Sequence, residues 1–214
     1  MQSLLFPPIC IICDQEYFKD KIPICSTCLN KLSVLPKNIL LKKKIPDNLD
    51  SLKITFLFDS HYQKIVHYLK YSEYQCIGNK IGQLIADRMQ HIALPGSNTY
   101  VIPVPLHPIK YRERGYNQAK LIASGFCDRT GFLQNNNILK RIKNTRSQTK
   151  LTKKERKENM KEAFRVKTLP PDTENIILID DVFTTGATME AAAAALKLAG
   201  VKKVMGISSA APES

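Results

Sequence analysis

Hydrophobic and polar positions along this chain switch between a period near two and a period near 3.6. Ile54 to Phe58 reads as a short strand. From His61 to Tyr71, the residues Tyr62, Ile65, Val66 and Leu69 recur at helical spacing. Ile77, Ile81, Leu84 and Ile85, with Met89 as a further position, repeat that pattern over Ile77 to Ile92. Pro95-Gly96-Ser97-Asn98 marks a turn. Val101 to Pro105 is apolar but carries two prolines, which predicts a strand running into a specialised loop. Gly115 to Cys127 predicts a helix, Ile176 to Ile179 a buried strand, Thr188 to Leu198 a helix built on the run Ala191 to Ala195, and Lys203 to Ser208 a last strand. Strands alternating with helices predict an α/β fold, a parallel sheet flanked by helices. The first fifty residues lack this alternation, so a boundary near residue 50 separates a small module, 1–50, from the domain 51–214.

A chain of 214 residues accommodates one substantial domain and such a module. Its 32 Lys and Arg against 19 Asp and Glu give a net charge of +13, which favours polyanionic partners: nucleic acid, phosphate-rich ligands or an anionic membrane surface. A generally basic proteome would produce the same excess, so its distribution matters. Nine Lys and Arg against two Glu fall between Arg141 and Lys161. No stretch approaches the roughly 18 apolar residues of a membrane span. Met1 to Cys13 lacks a basic start and is broken by Pro7-Pro8, making it a poor signal peptide. The expected location is the cytoplasm, free or peripheral at the inner face of the membrane.

Structural disulfides are rare in that compartment, which changes the reading of the cysteines. Cys10-x2-Cys13 and Cys25-x2-Cys28 present two pairs of thiolates, the pattern of a tetrahedral zinc site. Four sulfur ligands leave no open position, so the expected Zn2+ is structural; disulfides are the alternative. Cys76 and Cys127 stand alone and read as small buried hydrophobes.

The segment Ile176 to Thr188 carries the most specific chemistry. An apolar strand delivers Asp180 and Asp181 at its carboxyl end, and the loop Thr184-Thr185-Gly186-Ala187-Thr188 leads into a helix. Gly186 permits close backbone approach, the threonines supply hydroxyl donors, and a helix start favours an anion. No Lys stands in the loop, which excludes the common nucleoside-triphosphate loop. Two acids beside a phosphate need another task, and accepting hydrogen bonds from vicinal ribose hydroxyls meets it, as does outer-sphere contact with a metal. A Thr-rich helix cap behind a solvated acidic turn is the plainer alternative.

This segment resembles the phosphoribosyl pyrophosphate (PRPP) signature of type I phosphoribosyltransferases. The resemblance implies that Asp180 and Asp181 hold the ribose hydroxyls and Thr184, Thr185, Gly186, Ala187 and Thr188 hold the 5'-phosphate, with Mg2+ accompanying PRPP. Leu69-Lys70-Tyr71, Val101-Ile102-Pro103-Val104-Pro105-Leu106-His107-Pro108, Arg112-Glu113-Arg114-Gly115-Tyr116-Asn117-Gln118-Ala119 and the block from Arg141 to Phe164 narrow it further. With the N-terminal cysteines, the chain resembles the ComF (ComFC) family of competence proteins over about Cys10 to Ser208; Phe58-Asp59-Ser60 departs from that family's usual Tyr-Asp-Gly.

The resemblance implies natural transformation: handling of incoming single-stranded DNA beside a helicase-like competence ATPase. Pro105, Leu106, His107, Arg112, Arg114, Arg141, Arg146, Gln148 and Arg156 are candidates for a pyrophosphate or basic loop, an exposed, solvated helix being the alternative for the segment Arg141 to Lys161. Tyr111 and Tyr116 are candidates for stacking on bases, with core packing an equal alternative for Tyr116. Three functions follow: a DNA-uptake factor that binds PRPP or a related ribose phosphate together with single-stranded DNA; an active transferase using Mg-PRPP and an unidentified acceptor; and a DNA-binding module with a vestigial pocket. The last strand leaves little chain for a hood over a base, so an acceptor site is expected from residues near 1–60.

Overall fold

The computed structural model describes residues 8–17, 22–71, 74–90, 96, 98–143 and 162–213. Candidates Arg146, Gln148 and Arg156 lie outside them. Two short helices, α1 (Ser26–Asn30) and α2 (Lys37–Lys42), precede the strand β1 (Ser51–Leu57). Next come α3 (Ser60–Tyr71), α4 (Cys76–Arg88), β2 (Thr99–Pro103), α5 (Pro108–Arg114), α6 (Gln118–Thr130), β3 (Leu133–Gln134) and β4 (Leu139–Arg141). The chain closes with β5 (Phe164–Val166), β6 (Asn175–Val182), α7 (Ala187–Leu198) and β7 (Lys203–Ala211). The main sheet is wholly parallel in the order β1-β7-β6-β2-β3, while β4 and β5 form a separate antiparallel ribbon.

Side chains on successive strand positions point to opposite faces, and the core divides accordingly. Val101, Ile177, Ile179 and Ile207 pack toward α3, α4 and α6. Ile102, Ile176, Leu178 and Val204 pack toward α7. Glycines bring α4 and α6 together: a Cβ on Gly125 would lie 1.9 Å from the Asn79 carbonyl oxygen. On α7, the fully buried Ala192 and Ala193 give the helix a smooth face.

The residues before β1 pack onto this frame. Val34 pairs antiparallel with Phe56, with Leu35 N–H donating to the Thr55 carbonyl, so the connector covers the exposed edge of β1. Asn48 donates from its backbone and side chain to Glu190 on α7, and Asp50 joins Lys197 at 2.7 Å. Asp59 caps α3 by accepting from the Tyr62 N–H at 2.9 Å, so the departure at Phe58-Asp59-Ser60 leaves the cap intact.

The helix expected over Gly115 to Cys127 is α6, which starts at Gln118 and runs on to Thr130, and a separate helix that was not expected, α5, precedes it. His107 caps α5, Pro108 occupies its first turn, and Gly115 ends it at φ 80°. Asn117 then caps α6 by accepting from the Ala119 N–H. The last strand continues to Ala211 rather than ending near Ser208, because Ala210 and Ala211 remain buried beside β1 and β6. Among the described residues no helix is long and apolar enough to cross a membrane.

Candidate functional site

The crossover from β2 leads outward to β3, and the crossover from β6 leads the other way to β7. The carboxyl ends of β2 and β6 therefore flank the point where strand order reverses, the usual ligand crevice of an open parallel sheet. A cleft of about 460 Å³ opens there. Val104, Pro105 and Leu106 wall it after β2, and Asp180 through Met189 wall it after β6.

Asp180 and Asp181 stand where the buried run Ile176 to Ile179 reaches the rim. The buried hydroxyls Ser208 and Ser209 of β7 both donate to the Asp181 carbonyl, fixing the backbone beneath its carboxylate. Asp181 Oδ2 meets Lys70 Nζ at 3.2 Å. Burial first, and then the negative charge of Asp181, push the Asp180 pKa up to about 7; Lys70 and Arg141 pull the other way.

The expected phosphate loop follows the acids into α7. Gly186 sits at φ 75° as the cap of that helix, and a Cβ there would lie 2.8 Å from the Phe183 ring and 3.1 Å from Pro46. Gly186→Ala is expected to cost about 1–2 kcal/mol from the left-handed backbone. That corresponds to a melting-temperature fall of about 2–8 °C by scanning calorimetry. An unchanged melting temperature would mean that the loop relaxes out of this conformation at no cost.

The same cleft gathers four cations, Lys70, Lys110, Arg114 and Arg141, into a cationic wall that meets the acids at Lys70. Burial, followed by the charges of Arg141, Arg114 and Lys70, lowers the Lys110 pKa, with Glu113 opposing. Crowded cations of this kind favour an anion among them. Burial likewise acts against the Arg141 charge, and Asp180 supports it.

The block Gly115 to Ala119 positions this wall from behind. The buried Asn117 donates through Nδ2 to the Val104 carbonyl at 2.9 Å. Gln118 Nε2 and Tyr116 Oη both donate to the Leu69 carbonyl, at 3.1 and 2.9 Å, and Gln118 Oε1 accepts from Arg114 at 2.6 Å. Tyr116 is thus a brace for the residue preceding Lys70, while Tyr111 is exposed.

The structure brings Pro105, Leu106, Arg114, Arg141, the acid pair and the Thr184–Thr188 loop to one cleft. His107 lines no part of it; its Nδ1 accepts from the Ile109 N–H as a helix cap. Arg112 points to the other side of α5. Lys70, Lys110 and the bracing pair Asn117 and Gln118 were not assigned from sequence. The signal for Lys110 is its spacing of four from Arg114, visible once 108–114 is known to be helical.

The four N-terminal cysteines also converge. Their sulfurs all lie within 4.8 Å of one another, and none forms a disulfide. Cys13 and Cys25 sulfurs are 4.0 Å apart, close to the edge of about 3.8 Å implied by a tetrahedral site with metal–sulfur bonds of ~2.3 Å. Backbone N–H groups of Cys25 and Cys28 donate to Cys10 and Cys25 sulfurs, an arrangement that stabilises thiolates. The donor set can hold a metal ion.

Comparison with known proteins agrees with this geometry. The phosphoribosyl transferase domain model matches residues 70–212. Competence protein F of Haemophilus influenzae is 26% identical over 204 residues, 92% of this chain and 87% of that protein. DNA utilization protein YhgH of Salmonella typhi is 30% identical over 131 residues, 58% of this chain and 56% of that protein. Competence protein ComFC of Bacillus subtilis is 36% identical over 104 residues, 48% of this chain and 40% of that protein.

Proposed function

This chain belongs to the phosphoribosyl transferase domain family, in its ComF branch, and from that membership and the contents of the cleft we propose that it binds PRPP and handles single-stranded DNA during natural transformation. The observation that carries the ligand is the division of one cleft into three chemistries. Asp180 and Asp181 accept from ribose hydroxyls, the loop 184–188 receives the 5'-phosphate, and Lys70, Lys110, Arg114 and Arg141 face the diphosphate. Mg2+ enters with PRPP as the counter-ion of that diphosphate. The DNA role draws on the +13 charge and on the names of the relatives. It places the chain in the cytoplasm, working beside a helicase-like ATPase. Zn2+ is the metal proposed for the four cysteines, as a structural ion.

Calorimetric titration with PRPP, with and without Mg2+, tests the ligand. A saturable 1:1 isotherm that Mg2+ strengthens is expected. No heat of binding with either would leave a vestigial pocket. The cationic wall also suits a departing diphosphate, so pyrophosphate release from Mg-PRPP with candidate acceptors is the result that would make the chain a transferase.

A further inference from the structure

A second cleft, of about 400 Å³, lies back to back with the first. The helix α5 divides them. Lys110 and Arg114 face the ribose-phosphate cleft, whereas Pro108, Tyr111 and Arg112, at spacings of three and four, face the second. Pro105, Leu106, Asn117 and Arg141 border both.

The lining of the second cleft is unlike that of the first. It gathers Arg112, Lys120, Lys140 and Arg141, and among the described residues no Asp or Glu lines it. Without a carboxylate it lacks the charged acceptors that the first cleft offers to ribose hydroxyls, and its excess of cations suits phosphodiesters. Tyr111 is 46% exposed and offers a ring face beside these cations, and the prolines and Leu106 supply an apolar wall. At the rim, Lys140 lies close enough to Lys167 for the two ammonium groups to interact, and contact with Lys167 lowers the Lys140 pKa. Cations crowded at a solvent-exposed rim are relieved by a shared anion. The volume is within the range of small-ligand sites, roughly 300–1,000 Å³, enough for a nucleotide unit rather than a duplex.

We propose that the outer face of α5, with Tyr111, Arg112, Lys120 and Lys140, is the docking groove for single-stranded nucleic acid: Tyr111 stacks on a base while the cations follow the phosphates. This deepens the DNA role proposed above and rests on it. The strand then lies one helix width from the ribose-phosphate cleft, with Arg141 shared between them.

The test uses fluorescence anisotropy with a labelled oligothymidine across a salt series. Arg112, Lys120 and Lys140 are replaced together by alanine in one variant, and Tyr111→Ala is made separately. Loss of three phosphate contacts is expected to flatten the log–log salt slope by about 2, and Tyr111→Ala to weaken binding about tenfold. Both variants keep wild-type PRPP isotherms, since none of these side chains lines the first cleft. Wild-type chain that binds no oligothymidine overturns the DNA role and this groove together. Wild-type binding that the triple variant retains with the same salt slope overturns the groove alone. Equal competition by inorganic phosphate at matched charge, or by duplex DNA, replaces a strand groove with a generic anion surface.

Discussion

Purified chain is expected to carry about one zinc per molecule, and removing it is expected to release the first thirty residues from the domain. The four thiolates close a site whose apparent binding energy in small zinc modules is about 10–16 kcal/mol, far above what the local core supplies. That core is small: Ile11, Ile12, Ile24, Leu29 and Leu32, packed around the buried Cys10. It nevertheless joins the core under α3, where Lys64 donates to the Ile12 carbonyl at 2.8 Å. Metal loss therefore exposes both the module's apolar residues and the α3 face that they cover. Cys25→Ser should abolish stoichiometric zinc. It should also lower the melting temperature by about 10 °C if roughly 3 kcal/mol of packing is forfeited. Elemental analysis and scanning calorimetry read the two quantities. A metal-free chain with an unchanged melting temperature would show that the sulfurs converge without needing an ion.

The features legible in the sequence were those with a local signature. Ile176 to Ile179 followed by two acids and a Gly-containing hydroxyl loop marks a buried strand running through a rim loop into a helix, and the cysteine spacing needs no tertiary context. What the sequence concealed depends on three-dimensional neighbours. α5 was hidden because its seven residues bury no apolar side chain, so it has no hydrophobic period to detect. Without that helix, Lys110 and Arg114 could not be separated from Tyr111 and Arg112, and the two clefts merged into one basic loop. Asn117 and Gln118 looked like ordinary polar residues, yet both are buried to satisfy carbonyls of distant segments, Val104 and Leu69. Connector residues such as Pro46 and Asn48, which respectively pack against Gly186 of the 184–188 loop and bond to α7, likewise had no periodic pattern to expose them.

Asp181→Ala is expected to weaken PRPP binding about a hundredfold while leaving inorganic pyrophosphate binding unchanged or tighter. A charge-assisted hydrogen bond is worth about 1.5–3 kcal/mol, and the upper end of that range is roughly a factor of a hundred. The opposite effect on pyrophosphate follows from Lys70, which now pairs with Asp181 at 3.2 Å and would be released to face the anion. A merely structural lesion would weaken both ligands together. The pH dependence adds a second discriminator. With its pKa raised to about 7, Asp180 binds a proton in the folded chain that the unfolded chain gives up near pH 4. Its contribution to stability is therefore present below about pH 4 and lost as pH rises through about 7. Ribose hydroxyls need the ionised acceptor, so wild-type PRPP affinity should rise over the same approach to pH 7 and level off above it. Removing the Asp181 charge takes away the second cause of the shift, moving that rise to lower pH in Asp181→Ala. Asp180→Asn should abolish it. Isotherms collected from pH 5.5 to 8 in the wild type and both variants read the effect; an identical pH profile in all three would mean that Asp180 does not hold the sugar.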